Sequence, residues 1–270
     1  EGAEKCVRAA EDLNSAAVLD FTIEIDVDGY RTGLREKADD LVKIAFILAD
    51  SEATRFVGIM SYAGASYGKT PEEARSFAAE HVDALKNSKG ILEKEGYACD
   101  FVSIGSTPAV LHADNLEGVT EARCGIYAFQ DLFQAGIGAA TVDDIAVSVV
   151  ADVIARQPHY NRFVIDAGGL ALSKDRSTAG KPFDAQYGLV CDAETGSPLG
   201  DLAVVSVSQE IGLVSSLSGA SVDLDAFPIG RRIRILPNHA DMTAAAYEQY
   251  HVVEGDANII DVWTRQNHWT

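Results

Sequence analysis

Apolar and polar positions in the first half of the chain switch between a helical period and a strand period. Cys6, Val7, Ala10 and Leu13 fall at helical spacing within residues 1–16, with no capping residue before them. A strand is predicted at Val18–Val27, ending in the polar turn Asp26-Val-Asp-Gly-Tyr-Arg-Thr-Gly33. Leu41, Ile44, Ala45 and Leu48 then make one apolar face of a helix over Glu36–Ala49. Arg55–Ser61 reads as the next strand and leads into Tyr62-Ala-Gly-Ala-Ser-Tyr-Gly68. Pro71 suits the first turn of a long helix reaching about Glu95. Tyr97–Ile104 reads as a third strand, ending in Gly105-Ser-Thr-Pro108, and Thr120–Phe129 holds a short strand around Arg123-Cys-Gly-Ile-Tyr127. Strand, glycine turn and helix in repetition predict an α/β unit with parallel strands. In such units functional turns follow the strand ends.

From about Val142 the texture changes to strands separated by turns. Eight are predicted: Ala146–Arg156, Arg162–Asp166, Ala185–Cys191, Leu202–Gln209, Ile211–Leu217, Arg231–Leu236, Tyr250–Val253 and Asn258–Thr264. They imply an antiparallel β domain at 142–270, with the α/β part occupying 1–141.

Hydrophobic residues make up 47% of the 270, enough for real cores. No apolar run reaches the length of a membrane span, and no signal peptide opens the chain, so no membrane partner is expected. The formal charge of −19 argues against nucleic acid as a partner. Cys6, Cys99, Cys124 and Cys191 are scattered without a Cys-x-x-Cys pair, as in reduced cytoplasmic proteins. Residue 1 is Glu and the first residues read as mid-helix, so the chain is expected to begin partway through a domain.

The candidate chemistry centres on His239 and Asp241, just after a strand that ends at Leu236-Pro237. If the extended conformation continues, residues i and i+2 face the same side, and an imidazole and a carboxylate converge as a divalent cation needs. Mixed nitrogen and oxygen ligands suit Mg, Mn or Zn; a surface turn is the alternative. Gly105-Ser-Thr-Pro108 could hold a phosphate through backbone amides and hydroxyls, or be an ordinary turn. Gly125 would let a ligand approach the backbone, and Arg123 is either part of that site or salt-bridged. Arg31 follows two aspartates, so a local ion pair is its alternative; Tyr62 and Tyr67 could stack on a ring or simply pack. His81, His112, His159, His251 and His268 lack ligand-like spacing and read as structural.

Six motifs occur here in a family's order: Glu24-Ile-Asp-Val-Asp-Gly-Tyr-Arg-Thr-Gly33, Ser103-Ile-Gly-Ser-Thr-Pro108, Glu121-Ala-Arg-Cys-Gly-Ile-Tyr-Ala-Phe129, Ile165-Asp-Ala-Gly-Gly169, Gln209-Glu-Ile-Gly212 and Pro237-Asn-His-Ala-Asp241. Through them the chain resembles the D-threonine aldolase and D-serine dehydratase-like enzymes over essentially its whole length. These are pyridoxal-phosphate (PLP) proteins of the alanine racemase-like fold (fold type III), a (β/α)8 barrel followed by an antiparallel β domain. The resemblance implies that Ser106 and Thr107, with the backbone of Gly125 and Ile126, hold the cofactor phosphate. It implies Arg31 at the phenolic oxygen of the pyridoxal ring, Tyr62 packed on the ring and Arg123 at the pyridine nitrogen. His239 and Asp241 match the metal pair. Dehydratases of D-serine usually carry His-x-Cys there and the aldolases His-x-Asp, which favours the aldolase.

Two departures are visible. The usual Glu-His-Gly reads Glu210-Ile-Gly212. A complete (β/α)8 barrel takes about 250 residues, so residues 1–141 amount to a partial barrel, and the first-strand lysine that forms the Schiff base in these enzymes is not in this chain. The expected function is PLP- and metal-dependent cleavage of D-3-hydroxy amino acids (D-threonine-like) to glycine and an aldehyde by a cytoplasmic homodimer. The alternatives are a D-serine or D-3-hydroxyaspartate dehydratase of the same family, or a non-catalytic PLP-binding or oligomerisation chain.

Overall fold

Residues 1–13, 17–29, 31–37, 39–255 and 257–266 are described by the computed structural model, in which the chain forms two units, Glu1–Gly125 and Ile126–Thr270. His268 lies outside the described residues.

In the first unit the order is α1 (Gly2–Asp12), β1 (Leu19–Asp26), β2 (Leu34–Arg35), α2 (Asp40–Ala49), β3 (Thr54–Tyr62), α3 (Pro71–Lys94), β4 (Phe101–Gly105), α4 (Thr107–His112) and β5 (Glu121–Arg123). The strands form one parallel sheet in the order β2-β1-β3-β4-β5. Ile23, Ile25, Phe56, Ile59, Val102 and Ile104 belong to one core with Leu41, Ala45 and Leu48 of α2 and Val82, Leu85 and Leu92 of α3. α3 begins in a reciprocal cap: the Glu73 amide donates to Thr70 Oγ1 at 3.3 Å, and the Thr70 amide donates to Glu73 Oε2 at 2.8 Å. Such a cap is worth about 1 kcal/mol. Because the strands are parallel, Asp26, Tyr62, Gly105 and Arg123 end at the same edge of the sheet.

The third strand begins at Phe101 rather than Tyr97. Gly96 turns left-handed (φ 88°), and the amides of Tyr97 and Gly96 donate back to the Leu92 and Glu93 carbonyls. This glycine-centred closure keeps Tyr97 with the helix end. Gly105-Ser-Thr-Pro is also more than a turn, since Thr107 and Pro108 open α4.

The second unit contains α5 (Leu132–Gly136), β6 (Val149–Gln157), β7 (Arg162–Ile165), α6 (Gly169–Leu172), β8 (Gly188–Asp192), β9 (Pro198–Val207), β10 (Gly212–Ser216), β11 (Arg232–Pro237), α7 (Ala240–Ala245), β12 (Gln249–Val253) and β13 (Ile259–Thr264). Every strand expected after residue 142 is present. Six of them close into an antiparallel barrel, β10-β7-β6-β11-β8-β9, and β12 pairs with β13 as a separate ribbon. Alternation along the strands buries Val149, Ala151 and Val153 of β6 with Phe163, Ile165, Ile233 and Ile235. The Phe163 and Phe227 rings stack with centroids 4.4 Å apart.

The division falls at Gly125/Ile126, ahead of the Thr141 boundary read from the sequence. The stretch beyond Ile126 is bonded into the second unit: the Phe133 amide donates to the Asn238 carbonyl, and the Ala146 amide to that of Phe129. Among the described residues no helix is long and apolar enough to cross a membrane.

Candidate functional site

The strand ends of the first unit collect five of the expected cofactor residues. The Arg31 guanidinium lies over the Tyr62 ring, 4.2 Å from its centroid, a cation–π contact where the sequence allowed a local ion pair. Gly105 stands beside Tyr62 and Arg123. A Cβ there would come within 2.8 Å of Tyr62 Cδ2 and 2.9 Å of Arg123 Nη2, so glycine permits this convergence. Arg123 Nη2 donates to the Ser61 carbonyl at 2.9 Å and Nη1 donates to Ser103 Oγ. Its guanidinium therefore also ties together the ends of β3, β4 and β5.

Ser106 is left-handed (φ 112°), with its amide on the Arg123 carbonyl and its hydroxyl 2.7 Å from Ser66 Oγ. Thr107 is fully buried, and its Oγ1 has no hydrogen-bond partner among the described residues. A buried hydroxyl without a partner costs roughly 1–3 kcal/mol unless a ligand satisfies it. That orphan beside a strand end fits a phosphate-bearing cofactor. A Cβ at Gly125 would meet nothing within 4 Å, so the backbone there is open to approach. Ile126 is buried and begins the second unit in a short 3-10 turn, Ile126–Ala128.

Beneath these ends lies His81, completely buried on α3. Its Nδ1 is 3.3 Å from Ser61 Oγ and its Nε2 is 3.9 Å from Asp28 Oδ2, while that oxygen accepts the Ala65 amide. Burial pushes the imidazole down to about 4, against the opposing pull of Asp28 and Asp26. His81 is thus neutral near pH 7; it bonds the β3 end through Ser61, and its Nε2 has no hydrogen-bond partner among the described residues.

His239 and Asp241 of the second unit converge, though not by continued extension. His239 is the N-cap residue of α7 and Asp241 lies in its first turn. The imidazole Nε2 is 3.3 Å from Asp241 Oδ2. Sequence reasoning missed the third member, Asp131, which is 0% exposed and sits 2.7 Å from His239 Nδ1. Asp131 also N-caps α5, accepting the Gln134 amide at 2.7 Å. The Asp-x-x-Gln spacing into an apolar run was its only sequence signal. Burial opposes charge on His239, but its hydrogen bonds to Asp131 and Asp241 outweigh this and raise it to about 10. The same hydrogen bond lowers Asp241 against its partial burial.

No group of three or more His, Cys, Asp or Glu able to hold a metal occurs among the described residues. The chain would thus supply two ligands, one nitrogen and one oxygen, to a divalent cation. A histidine whose second nitrogen is held by a carboxylate is the usual arrangement of a metal-ligating imidazole, so the donor set fits.

Two glycine motifs prove to be a packing device. A Cβ on Gly168 would lie 2.5 Å from the Gln209 carbonyl oxygen, and one on Gly212 would lie 2.4 Å from that of Ala167. Ile165–Gly169 and Gln209–Gly212 are thereby knitted together. Ile211, the residue in place of the expected histidine, is 42% exposed.

Residues 3–132 match the family model described as "Alanine racemase, N-terminal domain", and residues 146–253 match "Putative serine dehydratase domain". The D-threo-3-hydroxyaspartate dehydratase of Delftia sp. (strain HT23) is 38% identical over 97% of this chain and 69% of its own length. Its structure superposes with a TM-score of 0.91 over 99% of this chain and 70% of that one, at 35% identity. Further structures of that enzyme are of a Cys-to-Ala variant in the metal-free form and of a His-to-Ala variant. The D-serine dehydratase of Dictyostelium discoideum is 32% identical over 92% of this chain and 64% of its own length. The D-threonine aldolase of Filomicrobium marinum superposes at 0.74, with 25% identity over 97% of this chain and 67% of that one. This chain therefore spans about two thirds of the length of these relatives. It belongs to the D-threonine aldolase and D-serine dehydratase-like family, PLP-dependent lyases of the alanine racemase-like fold.

Proposed function

We propose that this chain is part of a PLP- and divalent-metal-dependent lyase that removes water from a D-3-hydroxy amino acid, with D-3-hydroxyaspartate as the leading substrate class. The observation that carries this reading is the 38% identity and the TM-score of 0.91 to the Delftia dehydratase, against 0.74 to a D-threonine aldolase. In this reading Ser106, Thr107 and the backbone of Gly125 and Ile126 bind the phosphate, Arg31 and Tyr62 hold the ring, and Arg123 addresses its pyridine nitrogen. Bound PLP supplies delocalisation of negative charge at the substrate Cα. His239 and Asp241 hold a cation, Mn or Mg favoured by the hard carboxylate or Zn by the imidazole, which would supply Lewis acidity toward a β-hydroxyl. No lysine of this chain is assigned the covalent bond to the cofactor. A (β/α)8 closure of the parallel sheet, a homodimer and a cytoplasmic location belong to the same proposal and rest on the family resemblance.

Aldol cleavage is the second reading, favoured by one residue. The oxygen ligand in this reading is the carboxylate of Asp241, and the family resemblance associates His-x-Asp with the aldolases. The two reactions differ in products. Holoenzyme supplied with D-threo-3-hydroxyaspartate, D-serine and D-threonine should release a 2-oxo acid and ammonia if it dehydrates. Glycine and an aldehyde in equal amounts would move the assignment to the aldolase, and neither product from any of the three would overturn both readings.

A further inference from the structure

Asp131 does more than end a helix. Its carboxylate is sealed from solvent and receives three N–H groups: Oδ1 accepts the Gln134 amide, and Oδ2 accepts the Ala240 amide at 2.9 Å and faces His239 Nδ1 at 2.7 Å. Oδ2 already accepts the Ala240 amide, and the contact with His239 makes Nδ1 the donor. The ring then turns its other nitrogen, Nε2, toward Asp241. Phe133 meets the imidazole edge-on, with centroids 5.8 Å apart and planes at 82°, and limits its rotation.

We propose that Asp131 is a positioning residue for the metal site: it fixes the His239 ring plane with Nδ1 as the donor, so that Nε2, beside the Asp241 carboxylate, is the nitrogen offered to a cation. The inference rests on the reading of His239 and Asp241 as metal ligands. A purely structural Asp131 would cap α5 and the Ala240 amide without affecting which nitrogen binds. The difference matters because outer partners of ligating histidines raise ligand basicity and fix orientation.

The discriminating substitution is Asp131→Ser. A serine hydroxyl still serves as an N-cap for the Gln134 amide, but it is too short to reach His239 as the carboxylate does. In the full chain we expect D131S to fold with a lowered thermal transition, because the buried Ala240 amide loses its acceptor, and to bind Mn(II) about 10- to 100-fold more weakly, read by titration of the free-ion EPR signal. In 15N-histidine NMR of the Zn(II)-loaded protein, the parent should show the His239 proton on Nδ1 and the metal on Nε2. Parent-like Mn(II) affinity in D131S with an unchanged ring signal overturns the proposal while leaving the metal reading intact. Equal Mn(II) binding by the parent and His239→Ala removes the metal reading itself, and the proposal falls with it. Should D131S fail to fold, the Zn(II)-loaded parent spectrum decides, because metal on Nδ1 with the proton on Nε2 contradicts the assignment.

Discussion

The hydroxyls of Ser66 and Ser106 meet at 2.7 Å and tie the turn after β3 to the start of α4. The adjoining hydroxyl, Thr107 Oγ1, is buried and meets no partner among the described residues. Thr107→Val should therefore leave the thermal stability of the cofactor-free protein unchanged or slightly higher. If this hydroxyl serves a phosphate, the same substitution should weaken PLP binding by about 10- to 100-fold, the worth of a hydrogen bond to a charged group. Fluorescence titration with PLP checks the second part, and a stability loss without PLP would show that the hydroxyl has a structural partner.

Gly58 offers a test of the sheet. It follows a bulge in the β1–β3 pairing, has φ 155°, and a Cβ there would stand 1.8 Å from the Phe101 carbonyl oxygen. Gly58→Ala must push β4 away from β3 and should cost about 3 kcal/mol of stability. Urea denaturation of the two proteins would measure it. A loss below about 0.5 kcal/mol, ordinary for a surface change, would mean that the strands separate easily.

His81 makes a pH prediction. Burial depresses its folded-state value to about 4, against 6.5 for an unperturbed imidazole, while Asp28 and Asp26 oppose the shift. Between those values the unfolded chain binds more protons than the folded one, so stability falls as pH drops from 6.5 toward 4 and levels off below. The penalty approaches about 3 kcal/mol. Neighbouring carboxylates titrate in part of the same window, so the informative quantity is the difference between the parent and His81→Asn. The variant should lose less stability than the parent between pH 7 and pH 4.5.

Replacing Asp241 with Cys exchanges a hard oxygen for a soft thiolate. Competition titrations should show Zn(II) favoured over Mn(II) and Mg(II) more strongly than in the parent. In the holoenzyme, His239→Ala should abolish turnover and leave the PLP absorbance intact, because the proposed cofactor contacts lie elsewhere in the chain. Full turnover by His239→Ala in the presence of chelator would reduce the pair to a surface feature.

Much of this molecule is legible in its sequence. β6 declares itself through the alternation that buries Val149, Ala151 and Val153, and β8 through a continuous apolar run. The long helix announces its start through Pro71, to which the structure adds the reciprocal cap of Thr70 and Glu73. Barrel closure was not legible, since it depends on which strand pairs with which. Asp131 was hidden for the same reason. Its partner lies 108 residues later, and only folding brings the carboxylate and imidazole together. The conformation after Pro237 was misread because His-x-Asp serves a strand and a helix start alike. The two side chains meet in either case.

A closed barrel has no terminal strand from which to unzip. β11, which leads into His239, is paired on one side with β6 and on the other with β8, and Ile233 and Ile235 on it are fully buried. Its amides can reach solvent only when a large part of the barrel opens at once. Deuterium should thus enter the ribbon of β12 and β13 within early time points and reach β11 among the last. The proposed ligands therefore hang from one of the slowest-exchanging strands in the unit, and their spacing should persist through fluctuations that fray the ribbon.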